Sequence, residues 1–121
     1  LQFKIVYLDD EEALCQIFED NFDWPELSVK TFVDAEAAIQ EIAEHSADLM
    51  FIDYRLKGTT ADQVSKRLPA NLPLVLLTGE LNPMPETQFL RIFNKPFRLK
   101  ELEQFLNDAI REKASSSNIQ K

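Results

Sequence analysis

The sequence predicts an α/β protein, a three-layer sandwich in which one five-stranded parallel sheet lies between helices. Three observations lead there. Five short apolar runs punctuate the chain, and segments of helical periodicity follow most of them. Two of the runs, Leu49-Met50-Phe51-Ile52 and Pro73-Leu74-Val75-Leu76-Leu77, show no polar alternation. Unbroken apolar runs suit strands covered on both faces, and strand–helix alternation implies right-handed crossovers and a parallel sheet.

The elements follow in order. Phe3 to Leu8 is a β-prone run that Asp9-Asp10-Glu11-Glu12 stops. Acidic residues suit the positive end of a helix, and Leu14, Ile17, Phe18 and Phe22 then recur at helical spacing. Trp24-Pro25 breaks that helix. Leu27 to Phe32 reads as the second strand, and Asp34 as the N-cap of a helix bearing Ala38, Ile39, Ile42 and Ala43. The third strand ends at Asp53, and a helix is expected from Thr60 to Leu68. The fourth strand ends at Thr78. The segment after it, Glu80-Leu81-Asn82-Pro83-Met84-Pro85-Glu86, has two prolines and poor helical pattern, so the fourth helix is expected to be short or absent. Phe89 to Phe93 reads as the fifth strand, just before Lys95-Pro96-Phe97. A last helix from Leu99 buries Leu102, Phe105, Leu106, Ala109 and Ile110. Residues 1–113 then form the domain, and 114–121, rich in serine, read as a flexible tail or a linker.

Composition narrows the function. A chain of 121 residues supports one core, and 45 % apolar residues argue against disorder. The net charge of −8 and the lack of a basic patch speak against nucleic-acid binding. The single cysteine, Cys15, excludes an internal disulfide or a multi-cysteine zinc site and reads as a buried structural thiol. No apolar run approaches a membrane span and no signal-peptide pattern opens the chain, so a cytoplasmic protein fits best. Leu1 in place of Met is compatible with a start further upstream. His45 stands alone near a helix end and reads as a solvated or capping residue.

Chemistry concentrates at strand ends. Asp9 and Asp10 follow the first strand, Asp53 ends the third, Thr78 the fourth, and Lys95 follows the fifth. Open parallel sheets bind ligands beyond the carboxyl ends of their strands. Three carboxylates in one cleft resist joint ionisation unless a cation relieves them. A hard divalent ion such as Mg²⁺ does so, and Asp53 could then attack phosphorus as a nucleophile. Lys95 and Thr78 would stabilise the phosphoryl oxygens. Taken singly, each of these residues has a plainer role, as helix cap, loop lysine or turn threonine. The set in this order does not.

Asp9-Asp10-Glu11, the lone Asp53, Thr78-Gly79 and Lys95-Pro96-Phe97 together resemble the signature of the receiver domains of two-component signalling, the CheY-like superfamily. The resemblance spans roughly Phe3 to Glu112. It implies the flavodoxin-like strand order 2-1-3-4-5 and a signalling role in which Asp53 accepts a phosphoryl group from a histidine kinase or phosphotransfer protein. It also implies Mg²⁺ held by Asp10, Asp53 and the Arg55 backbone carbonyl, with Asp9 acting largely through water. Thr78 would move toward the phosphate, Lys95 would pair with it, and the bond before Pro96 would be cis. Such a protein promotes phosphotransfer to itself and slow autodephosphorylation and is not a turnover enzyme. Its output passes to an effector or a tethered domain.

Several positions depart from the family pattern. Ile92 stands where an aromatic residue is usual, and Lys57 where many relatives have proline. Arg55 and Glu80, which are opposite in charge, occupy the two positions that tune phosphate lifetime in relatives, and they could pair above the phosphate. With the fourth helix short or absent, the usual dimer face is incomplete and a monomer is expected. Rival readings fare less well. A haloacid-dehalogenase-like phosphatase wants an acid where Arg55 stands, and a nucleotide-binding loop needs glycines, of which the chain has only Gly58 and Gly79. A receiver-fold interaction module working without phosphorylation is the alternative. Loss of Asp53, Asp10 or Lys95 would mark it, and all three are present.

Overall fold

The apolar runs become strands, and their order decides which loops meet. A computed structural model describes residues 2–119. Its elements are β1 (Phe3–Leu8), α1 (Glu12–Asn21), β2 (Leu27–Phe32), α2 (Ala35–His45), β3 (Leu49–Asp53), β4 (Arg55–Leu56), β5 (Thr59–Thr60), α3 (Ala61–Ser65), β6 (Leu74–Thr78), β7 (Arg91–Asn94) and α4 (Leu99–Ile119). The main sheet is parallel throughout in the order β2-β1-β3-β6-β7, which is the expected 2-1-3-4-5 counted over its five strands. β4 and β5 form a separate antiparallel hairpin. Gly58 at its tip has a φ of +74°, where a β-carbon would be strained. The sequence reading did not foresee this hairpin.

Every residue of β3 and β6 is buried. The period of two then divides the core between the sheet faces. Ile5, Tyr7, Phe51, Val75, Leu77 and Phe93 meet Cys15 and Phe18 of α1 and Leu102 and Leu106 of α4. Val6, Leu8, Met50, Ile52 and Leu76 meet Ala38 and Ile42 of α2 and Ala61 and Val64 of α3. Asp34 caps α2 as expected, its Oδ2 accepting from the Ala37 N–H at 3.0 Å. His45 is exposed at the end of α2 and pairs with Glu41 at 3.1 Å. No helix among the described residues is long and apolar enough to cross a membrane.

Four local expectations need correction. The buried stripe of α1 runs through Cys15 and Phe18 to Phe22, while Ile17 is 44 % exposed. Leu14 and Ile17 sit on the flank instead, where with Lys95, Pro96 and Phe97 they line an open groove. α3 stops at Ser65 rather than Leu68. Arg67 and Leu68 donate to carbonyls only three residues back, and Pro69 disfavours helical geometry before it. β7 begins at Arg91 rather than Phe89, because Phe89 packs into the α3-side core and Leu90 N–H donates to Leu74 O at 2.8 Å. Lastly, α4 continues through Ile119, so Ala114–Asn118 are helical where a loose tail was expected. No glycine or proline interrupts it, and Lys113 Nζ pins it to Asp48 at 2.8 Å. Residues 120–121 of that expected tail lie outside the described residues.

No helix forms between β6 and β7, as the prolines suggested. The segment is stapled to α3 instead. Asp62 accepts from the backbone N–H groups of Glu86 (3.0 Å) and Thr87 (2.8 Å), and the Ser65 and Thr87 hydroxyls lie 2.7 Å apart. Burial pushes the Asp62 carboxyl up, but the two N–H donors outweigh it and hold the group below its ordinary range. Asp62→Ala should therefore cost about 1–2 kcal/mol in denaturant unfolding and speed amide exchange at Glu86 and Thr87. Unchanged exchange there would mean that something other than Asp62 holds the segment.

Candidate functional site

Parallel pairing aligns the carboxyl ends of the strands. Leu8 pairs with Ile52, Asp53 with Leu77, and Thr78 with Asn94, so the residues that end or follow β1, β3, β6 and β7 share one edge. This edge includes the point between β1 and β3 where the chain reverses its direction of travel across the sheet, the usual ligand position in such folds. Asp9, Asp53 and Thr78 are buried polar side chains, and all three lie here.

Asp9 is fully buried. Its Oδ1 accepts from the Glu11 N–H at 3.0 Å, and its backbone carbonyl accepts from Cys15 Sγ at 3.3 Å. Cys15 is buried, as expected, and its thiol is pushed up to about 11 by burial and by the Asp9 charge. Lys95 Nζ stands 2.9 Å from Asp9 Oδ2 and 3.2 Å from Asp53 Oδ1. Its contact with Oδ2 is close but not aligned as a hydrogen bond. Lys95 is set in place by its own N–H, which donates to Thr78 O at 2.7 Å, and the bond to Pro96 is cis. Thr78 Oγ1 accepts from the Glu80 N–H at 3.0 Å, which leaves its hydroxyl proton available to donate.

Arg55 and Glu80 do pair. Arg55 Nε and Nη2 lie 3.2 and 3.0 Å from Glu80 Oε1, joining the start of β4 to the turn after β6. Sequence reasoning missed Tyr7. It lies two residues before Asp9 in β1, so strand alternation puts both on one face, which is the signal that could have found it. Burial first, and then the charges of Asp9, Cys15 and Asp53, hold its phenol far above the ordinary range.

Asp9, Asp10 and Asp53 each offer an oxygen within 4.8 Å of the others. Burial pushes the Asp53 carboxyl up to about 6, with the Asp9 charge adding to it, Lys95 opposing it and Asp10 adding a little more. Burial alone would pull Lys95 down, but its contacts with Asp9 and Asp53 more than offset that and leave it above its ordinary value. Three carboxylates face one ammonium. The donor set is hard oxygen with excess negative charge, which fits Mg²⁺.

No protein-family model matches the sequence. Known structures match throughout. The signal receiver domain of an HD domain-containing protein from Pseudomonas fluorescens Pf-5 superposes with a TM-score of 0.83 at 21 % identity, over 95 % of this chain and 99 % of that one. The N-terminal domain of a response regulator/sensory box/GGDEF three-domain protein from Carboxydothermus hydrogenoformans gives 0.80 at 20 %, over 94 % and 98 %. The chemotaxis response regulator CheY4 of Vibrio cholerae gives 0.78 at 18 %, over 90 % and 99 %. The chain has the fold of a receiver domain. In this receiver fold the four strand ends that carry the resemblance in sequence are also the ones that bring acids, hydroxyl and amine together.

The raised Asp53 carboxyl sets a pH dependence for the metal-free protein. Below the unfolded value, near 4, the group is protonated in both states and costs nothing. Between about 4 and 6 the unfolded chain releases its proton first, so folding stability falls, and the penalty is complete above about 6. In chelator, Asp53→Asn should thus stabilise the fold by up to about 3 kcal/mol at neutral pH and by little near pH 3.5. Equal effects at both pH values in denaturant unfolding would show that Asp53 carries no such penalty.

Proposed function

We propose that this receiver fold takes a phosphoryl group onto Asp53 and serves as a signalling relay. One observation carries the reading. A buried carboxylate ends β3 with an ammonium 3.2 Å away, two further acids on one side, and a buried hydroxyl ending the next strand. Such an arrangement suits phosphoryl transfer, which depends on positioning and charge neutralisation more than on covalent help.

An Asp53 oxygen attacks the phosphorus of a phosphohistidine on a histidine kinase or phosphotransfer protein. The O–P bond forms as the P–N bond breaks, and the imidazole leaves with the electron pair and takes up a proton. Lys95 turns from Asp9 toward a phosphoryl oxygen and holds its charge. Thr78 swings its free hydroxyl proton to another. Asp10, Asp53 and the Arg55 carbonyl would hold Mg²⁺, with Asp9 acting through water, and the bound ion would supply the remaining charge neutralisation. The product is an acyl phosphate on the protein itself, so the chain completes one transfer and does not turn over. It acts as a monomer and passes its signal to an effector or a tethered domain.

A small phosphodonor such as phosphoramidate, with Mg²⁺, should add one phosphoryl group by mass spectrometry, and chelator or Asp53→Asn should abolish it. Undiminished labelling of that variant, mapped to a neighbouring acid, would overturn the assignment. The exposed Arg55–Glu80 pair joins the residue two after Asp53 to the residue two after Thr78, and there it would hinder the line of water attack on the acyl phosphate. Arg55→Asn should speed its hydrolysis severalfold, followed as loss of label over time. An unchanged rate would mean that the pair is no gate.

A further inference from the structure

Tyr7 does more than fill space. Its ring is fully buried and stacks on Phe18 with centroids 4.4 Å apart and planes at 25°, with Phe51 at 6.1 Å. Phenylalanine would fill that space equally well. The hydroxyl is the part that needs a reason, because a buried hydroxyl without a partner is costly.

Among the described residues, two buried side-chain polar atoms lack a hydrogen bond: the Tyr7 hydroxyl and Asp9 Oδ2. Tyr7 lies on β1 facing α1, and Asp9, the first residue after the strand, continues its alternation and meets Cys15 of α1 through its own carbonyl. One is a donor and the other an acceptor. The remaining acceptors of Asp9 are already engaged, Oδ1 by the Glu11 N–H and the backbone carbonyl by Cys15. Lys95 stands near Oδ2 without the alignment of a hydrogen bond.

We infer that the Tyr7 hydroxyl is a positioning donor that holds Asp9 from within the core. A turn of the hydroxyl and a small shift of the carboxylate satisfy both atoms at once. The role rests on the function proposed above. When Lys95 leaves Asp9 for a phosphoryl oxygen, the fully buried Asp9 carboxylate loses the cation beside it. Tyr7 then keeps it oriented toward the acidic cluster. Carboxylates that serve metal sites are commonly held by such outer partners, whose loss weakens metal affinity.

Two measurements test this. In wild-type protein in chelator, the Tyr7 hydroxyl proton should appear downfield in the proton NMR spectrum, exchange slowly, and show cross-peaks to its own ring. Tyr7→Phe keeps the ring and the stack on Phe18, and the downfield proton should vanish from its spectrum. Mn²⁺ affinity, read from the free-ion electron paramagnetic resonance signal, should fall roughly tenfold in that variant. A folded Tyr7→Phe protein with wild-type Mn²⁺ affinity would reduce Tyr7 to packing and leave the proposed function standing. Lack of the downfield proton in the wild-type spectrum would also sink the positioning role. Failure of the wild-type protein to bind Mn²⁺ would instead bring down the metal reading, and this inference with it.

Discussion

A carboxylate with no exposure to water has to be compensated, and in this fold the arrangement around Asp9 does it. Lys95 is the cation bridged to Asp9 among the described residues, and it comes from the far side of the sheet, after β7. It can reach only if β7 lies beside β6 in the right register and the turn after it folds back over the edge. The Lys95 N–H bonded to Thr78 O at 2.7 Å fixes that turn. Leaving a buried charge unpaired costs about 3–5 kcal/mol, a large share of what keeps a small domain folded. The same ion pair that closes the fold therefore also forms the site.

The segment joining β6 to β7 meets this requirement without the usual helix. Pro83 and Pro85 rule out continuous helical hydrogen bonding, yet the chain must still cross to the edge of the sheet. Asp62 and Ser65 on α3 take over as anchors, through backbone donors of Glu86 and Thr87 and the Thr87 hydroxyl. One consequence is a changed surface. Leu81 and Met84 are almost fully exposed, and Ile92 faces outward from the edge strand. This side of the sheet is thus formed by a stapled loop and an edge strand with exposed apolar side chains.

Most of this was legible in residue order. Strand runs that are apolar throughout can be buried only in the middle of a covered sheet, which set the architecture and the strand ends together. The acids, hydroxyl and amine then followed from those ends. Other features depended on information that a linear pattern does not hold. Ile17 matched helical spacing but fell on the flank, because Cys15, a small thiol, claims the centre of the buried stripe. The β4–β5 hairpin rests on two residue pairs and a single left-handed glycine, too short for any periodicity to register. The run of α4 through Ala114–Ile119 opposes the serine-rich composition, and the anchor at Asp48 comes from the other end of the fold. Tyr7 looked like any aromatic in an apolar strand until its hydroxyl was seen beside Asp9 without a partner.

The two ion pairs of the site illustrate how environment assigns roles to the same chemistry. Lys95 and Asp9 meet away from solvent, where attraction is strong and separation leaves a charge without water. That contact yields only when a better anion replaces the old one. Arg55 and Glu80 meet at the surface, at 68 % and 41 % side-chain exposure. Exposed pairs contribute about 0–1 kcal/mol and are screened by salt. Such a pair opens and closes readily at little cost to the fold. It therefore contributes little to stability, whereas the buried pair supports the fold and holds the site together. The depth of each pair below the surface, more than the identity of its residues, decides how much of the fold depends on it.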